Sequence, residues 1–378
     1  VERLNRARLW HSARRILAVR LDNLGDVLMT TPALRALRTS APGRHITLLA
    51  SRSGAAAAPY VPEIDDAIEF RAPWMPGDSA STGSQQEMLE LLGRGRFDAA
   101  VIFSVYTQSP LPAAMLCSMA GIRLRLAHCR ENPYQLLTDW VVDPEPHELI
   151  RHEVRRQLDL VQTIGCTTGD ERLSFHLPPH DSLRAMEKLR QAGVDLERPW
   201  IVVHPGASAA SRRYPVEHFA QAIDALMRNA SCQPILTGDA GELALVQSLR
   251  ARISSPPPSL AGQLSLGELA AVIAPAALLI SNNTGPVHLA AALGTPVVDV
   301  YALTNPQHSP WKVANRVLYH DVPCRFCYRS VCPQQHHACL RLLDPHRVAQ
   351  AARELLDLGA ERAAPPVSSL PLTAASGE

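Results

Sequence analysis

The chain has 378 residues, and its 37 basic and 36 acidic side chains leave a formal net charge of only +1. So even a balance provides no extended basic surface and argues against nucleic acid as a partner. The length exceeds the roughly 100–200 residues of one ordinary core, so two domains are expected.

The opening stretch VERLNRARLWHSARR is basic and can form a helix with Leu4, Trp10 and Ile16 on one side, packed on the protein or laid on an anionic membrane surface. No apolar run approaches the ~20 residues of a membrane-spanning helix, and no cleavable leader pattern follows the basic stretch, so the chain reads as soluble and cytoplasmic. Apolar runs at 16–20, 46–50 and 97–103 lack polar alternation, as expected of strands buried on both faces of a parallel sheet. The stretch 71–87, rich in Pro, Gly and Ser, reads as a mobile loop. Paired prolines near 174–182 mark a seam, with a new helix starting behind Asp181 or Ser182. Beyond it, runs at 200–204, 233–237, 277–281 and 296–300 alternate with helical patterns at 216–229, 241–252, 265–274 and 286–293. Two successive strand–helix series predict two doubly wound α/β domains. An amphipathic helix follows over 344–359, with Asp344 as cap and Gly359 as stop, and the residues from 361 onward read as a disordered tail.

Ligands of open parallel sheets bind outside the carboxyl ends of the strands, so the loops after the apolar runs hold the candidate chemistry. After 16–20 comes DNLGDVLMTTP, in which Asp22, Asn23 and Asp26 can cap a helix, with Thr31 and Pro32 restarting or kinking it. The second reading is that Gly25 turns the backbone sharply and presents the Asp26 carboxylate to the crevice as a general base. After 200–204 comes HPGASAASRRYP, where small residues, the Ser208 hydroxyl, Arg212 and Arg213 suit a phosphate, although a plain solvated turn has the same composition. The third, SNNTGPVHLAAALGTP (281–296), offers backbone donors where Pro286 opens a helix, and His288 lies one turn in.

These loops, together with LTGDAGE (236–242), the stretch 260–298 and CRFCYRSVCPQQHHACL (324–340), resemble the ADP-heptose:lipopolysaccharide heptosyltransferase family of inverting glycosyltransferases, over almost everything from Ile16 to Leu358. The resemblance implies the GT-B fold, two Rossmann-like doubly wound domains facing across a cleft. It divides the chain into an acceptor-side domain over 1–176, a nucleotide-sugar domain over 177–343, a C-terminal crossover helix over 344–359 and a tail over 360–378. It implies Asp26 as the catalytic base. Ser208 and Arg212 match donor-diphosphate contacts, Arg212 standing where the family often has lysine; Glu242 matches the residue on the ribose; Thr284, Gly285 and His288 match the diphosphate-binding helix start. Asn283 departs from the pattern, since many members have aspartate there. The implied reaction is inverting transfer of a heptose or related sugar from a nucleoside-diphosphate donor, with ADP-heptose the expected one, to a saccharide hydroxyl on a lipopolysaccharide core or a natural product. It requires no metal or cofactor. A glycolipid acceptor would bring the protein to the inner membrane surface.

Arg52, Arg123, Arg125 and Arg130 in the first domain are candidates for acceptor phosphate or carboxylate groups. Cys324, Cys327, Cys332 and Cys339 lie close together with His336 and His337 between them; free thiols or a disulfide are the expected state, and a zinc or iron–sulfur site is the alternative. That alternative belongs to a rival reading, a Rossmann-type redox protein, against which stands the single Gly25 where a dinucleotide loop has three glycines. A catalytically silent nucleotide-sugar-binding protein is the third reading, permitted by Asn283.

Overall fold

The computed structural model describes residues 2–75, 82–146, 148–228 and 232–363. Among the described residues eleven strands form two sheets in which every pairing is parallel. In the first half these are β1 (Arg15–Arg20), β2 (His45–Ala50), β3 (Asp66–Glu69), β4 (Ala99–Ile102), β5 (Leu124–Cys129) and β6 (Asp139–Val142), in the order β3-β2-β1-β4-β5-β6. The second half has β7 (Trp200–His204), β8 (Gln233–Leu236), β9 (Leu278–Asn282), β10 (Val297–Val300) and β11 (Asn315–Leu318), in the order β11-β10-β9-β7-β8.

Unbroken apolar strands feed cores on both faces of each sheet. Ile16 and Ala18 of β1 enter one core while Leu17 and Val19 enter another, as the two-residue period of a strand requires. The first of these cores also takes Val202, Ile235, Leu279 and Val297 from the second sheet, so the two halves share a central apolar layer. Two helices fill that layer and pack on each other, Leu24–Ser40 following β1 and Gly285–Leu293 following β9. Both start at the carboxyl end of their strand, and their first turns therefore meet at the cleft. Pro32 lies inside the first helix, where it cannot donate to the carbonyl of Leu28; the Thr31 hydroxyl donates to that carbonyl instead, at 2.7 Å, and the helix runs on unbroken.

The expected strands and helices are present, with differences that have physical causes. Strands β3, β5, β6 and β11 escaped the apolar-run pattern because they are short, polar edge strands or, in β5, because Arg125 and His128 interrupt the run. The helix at the seam spans Pro179–Gln191 and starts ahead of Asp181: Pro178 is its cap and Pro179 its first residue, a position where a missing N–H costs nothing. Part of the stretch 71–87 expected as a loop is helical, because a helix runs over Thr82–Arg94; 76–81 lies outside the described residues. Trp10 is fully buried, so the opening helix Glu2–Ser12 packs on the protein at that point. The final helix runs over Pro345–Ala363, past the Gly359 stop, so the first residues expected as tail, 360–363, are helical, and the rest of that tail lies outside the described residues. Its Val348, Ala349, Ala352 and Leu355 are buried in the second half's own core against the helix Val216–Met227. Among the described residues no helix is long and apolar enough to cross a membrane.

Candidate active site

In each sheet the strand order reverses between two neighbours, β1 and β4 in the first and β7 and β9 in the second, and crevices open beyond such switch points. A cavity of about 640 Å³ lies at the first, lined by Asp22, Asp26 and the loop after β4 from Phe103 to Pro110. A second, of about 470 Å³, lies at the other, lined by Ser208, Arg212, Glu242, Thr284, Gly285 and His288. Five residues line both: Asn23, Asp26, Ser208, Arg212 and His308. The cavities meet there, between the two halves.

Asp26 both caps its helix and faces the cleft. It stands at the third helical position behind Asn23, and its Oδ2 accepts the Asn23 backbone N–H at 3.1 Å. Its Oδ1 accepts from Arg20 Nη2 at 3.1 Å. Arg20, fully buried at the end of β1, also pairs through Nε with Asp22 at 3.1 Å and through Nη1 with Glu153 at 2.8 Å. One guanidinium thus serves three carboxylates. Burial pushes the Asp26 carboxyl up, but Arg20, then His308 and His288, and the Asn23 amide outweigh it and hold the group below the ordinary carboxylate range. Asp22 goes the other way: burial dominates, Arg20 and Gln108 only partly offset it, and the carboxyl is pushed up to about 6. Asp26 is therefore ionised at neutral pH.

Close approach of the two helix starts depends on small residues. A Cβ at Gly25 would stand 2.5 Å from Cδ2 of His288, and one at Gly285 would stand 3.3 Å from Leu24. His288 is buried, its pKa pushed down to about 3 chiefly by burial, and its Nδ1 has no hydrogen-bond partner. A neutral imidazole with an unused nitrogen results. Glu242 is placed from below: its Oε2 accepts the Asp239 N–H at 3.0 Å and lies 3.4 Å from His204 Nε2. Burial raises its pKa, but the His204 contact and the Asp239 amide bring it below the usual value.

All seven residues expected on the base and donor side thus line the second cavity, and Asp26, Ser208 and Arg212 line the first as well. The four arginines expected to meet the acceptor do not: none of Arg52, Arg123, Arg125 and Arg130 lines either cavity. Arg125 is buried and its guanidinium donates to the carbonyls of Leu136, Ile122 and Gln135, so it holds the loop between β5 and β6. Arg123 is exposed just before β5, at the end of the sheet away from the cleft, and Arg52 is exposed at the start of the short helix Arg52–Ala55. Arg130 follows β5 at its carboxyl end and lies over the Tyr106 ring at 5.6 Å.

Asn283 has a structural reason. Its Nδ2 donates to Asp299 Oδ2 and to the His308 carbonyl, both at 2.9 Å, and burial raises the Asp299 carboxyl well above its ordinary value. An aspartate at 283 would lose both donated bonds and set a second acid against the buried Asp299.

Several cleft residues escaped the sequence reading. Arg20, Glu153 and Gln108 come together from β1, the helix Glu153–Gln162 and the loop after β4, and no spacing links them. His308 sits in an irregular segment whose only signal is a histidine between two prolines. The cysteine loop packs beside the cleft: Phe326 and Tyr328 donate backbone N–H groups to Leu303 and Thr304 at 2.7 Å each, and Tyr328 meets Tyr106 edge to face. Cys324, Cys327, Cys332 and Cys339 line a void of about 30 Å³ with His336 and His337, and Cys324 Sγ lies 3.8 Å from His336 Nε2. All four cysteines are free, and among the described residues no three His, Cys, Asp or Glu side chains converge as metal ligands do.

The family model for glycosyltransferase family 9 (heptosyltransferase) matches residues 87–338. A putative glycosyltransferase of Haemophilus influenzae is 26% identical over 332 residues, covering 82% of this chain and 89% of its own length. Lipopolysaccharide heptosyltransferase 2 of Escherichia coli is 26% identical over 359 residues, 90% of this chain and 98% of that protein. The crystal structure of a family 9 glycosyl transferase from Veillonella parvula superimposes with a TM-score of 0.75 at 22% identity, over 91% of this chain and 97% of that one.

Proposed function

Because the chain belongs to glycosyltransferase family 9, the heptosyltransferase family, it is a glycosyltransferase, and we propose that it moves a heptose from ADP-heptose to a saccharide hydroxyl of a lipopolysaccharide-type core, using Asp26 as base. The observation that carries this reading is the meeting of the two cavities at Asp26, Ser208 and Arg212. The donor lies in the cavity of the second half, its diphosphate against Ser208, Arg212 and the backbone amides of Thr284 and Gly285, and its ribose on Glu242. The acceptor enters from the first half. Its hydroxyl loses a proton to Asp26 as the oxygen attacks the anomeric carbon, and the bond to the diphosphate breaks on the opposite face, which inverts the centre. Arg212, Ser208, His288 and the helix amides stabilise the charge that grows on the leaving group. The redox reading is not favoured, since the chain belongs to a glycosyltransferase family.

The division of labour follows the expected boundaries, acceptor side over 1–176 and donor side over 177–343. Arg130 is the arginine retained as an acceptor contact. The reading includes peripheral contact of the first half with the membrane face that holds a glycolipid, supported by exposed Met115, Met119 and Val142.

Two results test the donor site. With a panel of nucleotide sugars, ADP-heptose raises the melting temperature most, because a ligand at about 100 times its Kd stabilises the fold by about 2.7 kcal/mol. A larger shift with uridine or guanosine sugars would refute the donor assignment. Gly206→Ala tests the ribose contact. A Cβ there would stand 1.9 Å from Glu242 Oε1 and 2.3 Å from Oε2, so the carboxylate is displaced and gives up its Asp239 and His204 contacts. The variant stays folded with a loss of about 0.5–2 kcal/mol, as for a lost helix cap, and binds ADP-heptose about 10- to 100-fold more weakly, as loss of one charged hydrogen bond of about 1.5–3 kcal/mol requires. Calorimetry on the folded variant provides the comparison.

A further inference from the structure

His308 is the one residue at the junction of the cavities to which neither the composition of its loop nor the family resemblance assigns a role. Of the five side chains that line both cavities, Asp26 is the base, Ser208 and Arg212 face the diphosphate, and Asn23 caps the base's helix. His308 comes from the opposite half to Asp26 and is set there by a firm strap. Gln307 donates to Glu145 and to the Arg151 carbonyl at 3.0 Å each, and its own carbonyl accepts the Glu153 N–H at 2.9 Å. On the other side His152 bonds the Ser309 carbonyl at 2.8 Å, and Trp311 donates to the Glu171 carbonyl at 2.7 Å. The ring itself has a partner in waiting. Glu153 Oε2 is buried, accepts no hydrogen bond, and lies 4.0 Å from His308 Nε2, while the other oxygen of that carboxylate is taken by Arg20 and Gln157.

Base catalysis by Asp26 leaves a question about the proton. A carboxylate held below its ordinary pKa by Arg20 becomes a strong acid once protonated and must pass the proton on before the next turnover. We propose that His308 is a second catalytic residue, the acceptor to which Asp26 hands the proton taken from the sugar hydroxyl, with the idle Glu153 oxygen balancing the imidazolium. This rests on the reading of Asp26 as base. The bookkeeping of atoms is closed: the acceptor O–H breaks, its oxygen bonds the anomeric carbon, the electron pair of the old C–O bond leaves on the diphosphate, and the proton moves from Asp26 to the imidazole through one water at the junction that both side chains line. Burial keeps the ring neutral beforehand, so it can receive. Asp26, Glu153, Arg20 and Arg212 are the charges that act on it, and the departing diphosphate adds negative charge on the Arg212 side once the bond has broken.

The test uses His308→Gln, which keeps volume and hydrogen bonding but not basicity, with His308→Asn if the first variant does not fold, and His308→Ala for rescue. The expected result is a fall in kcat of about 100-fold or more with the ADP-heptose Kd within about three-fold of wild type. Added imidazole should restore part of the activity of His308→Ala and none of that of Asp26→Asn. A glutamine or asparagine variant with wild-type kcat, while Asp26→Asn is inactive, overturns the inference and leaves the base in place. So does a kcat loss matched by lost donor affinity and unrelieved by imidazole, which would make His308 a donor contact. Activity in Asp26→Asn would instead bring down the underlying reading of the base.

Discussion

Asp26→Asn lowers kcat by about 10²- to 10⁴-fold and leaves the affinity for ADP-heptose nearly unchanged. The amide keeps the shape of the carboxylate, and its single oxygen can still accept one of the two bonds that the carboxylate takes on separate oxygens, from Arg20 or from the Asn23 N–H. What it loses is the ability to take a proton. The donor cavity is lined mostly by the second half, so nucleotide binding has little reason to change. Stopped-time assays of sugar transfer, with calorimetric titration of the same preparation, separate the two quantities. A variant with normal turnover would show that Asp26 is only a cap.

Arg20→Met has the largest expected effect on stability. The methionine fills much the same volume, but Asp22, Asp26 and Glu153 are left buried around no cation, and breaking such a pair by removing one partner costs about 3–5 kcal/mol. Its pH dependence has a defined sign. In the wild type, burial raises Glu153 and Asp26, but Arg20 and neighbouring groups outweigh it and hold both below their ordinary values. Their contribution is therefore present above the ordinary carboxylate range and lost as pH falls through their depressed pKa values. Asp22, pushed up to about 6, opposes them: its contribution is present at low pH and lost as pH rises through about 6. Without Arg20, the largest offset to burial is gone from all three, their pKa values move upward, and each contributes less stability at high pH than before. The variant should then be more stable at pH 5 than at pH 8, relative to wild type, in thermal melts across that range. A melting temperature within about 1 °C of wild type at pH 8 would mean that the network contributes nothing.

The donor side was legible because it is local. Gly206, Ser208, Thr284, Gly285 and His288 lie in two short loops, each following an apolar strand, and small residues at a helix start carry their meaning in the chain itself. Asp26 was legible for the same reason, and the structure joins its two readings, since one oxygen caps the helix while the other pairs with Arg20. The support beneath it was not. Arg20, Asp22, Glu153 and His308 meet across 288 positions of sequence, and nothing in a periodic pattern marks a glutamate at the start of one helix as the partner of an arginine at the end of a distant strand. Arg125 was misread because charge alone does not say where a side chain is used up, and its guanidinium is spent on three carbonyls. Polar edge strands were invisible for a similar reason: β3 is largely exposed and has no apolar run to betray it.

The most direct measurement of the central claim is a crystal structure of the protein with ADP-heptose, or an unreactive analogue of it, bound. The account predicts the diphosphate against Ser208, Arg212 and the Thr284–Gly285 amides, the ribose on Glu242, and the anomeric carbon facing the junction where Asp26 and His308 stand. A diphosphate bound elsewhere, or an anomeric carbon turned away from Asp26 into the second half, would contradict it.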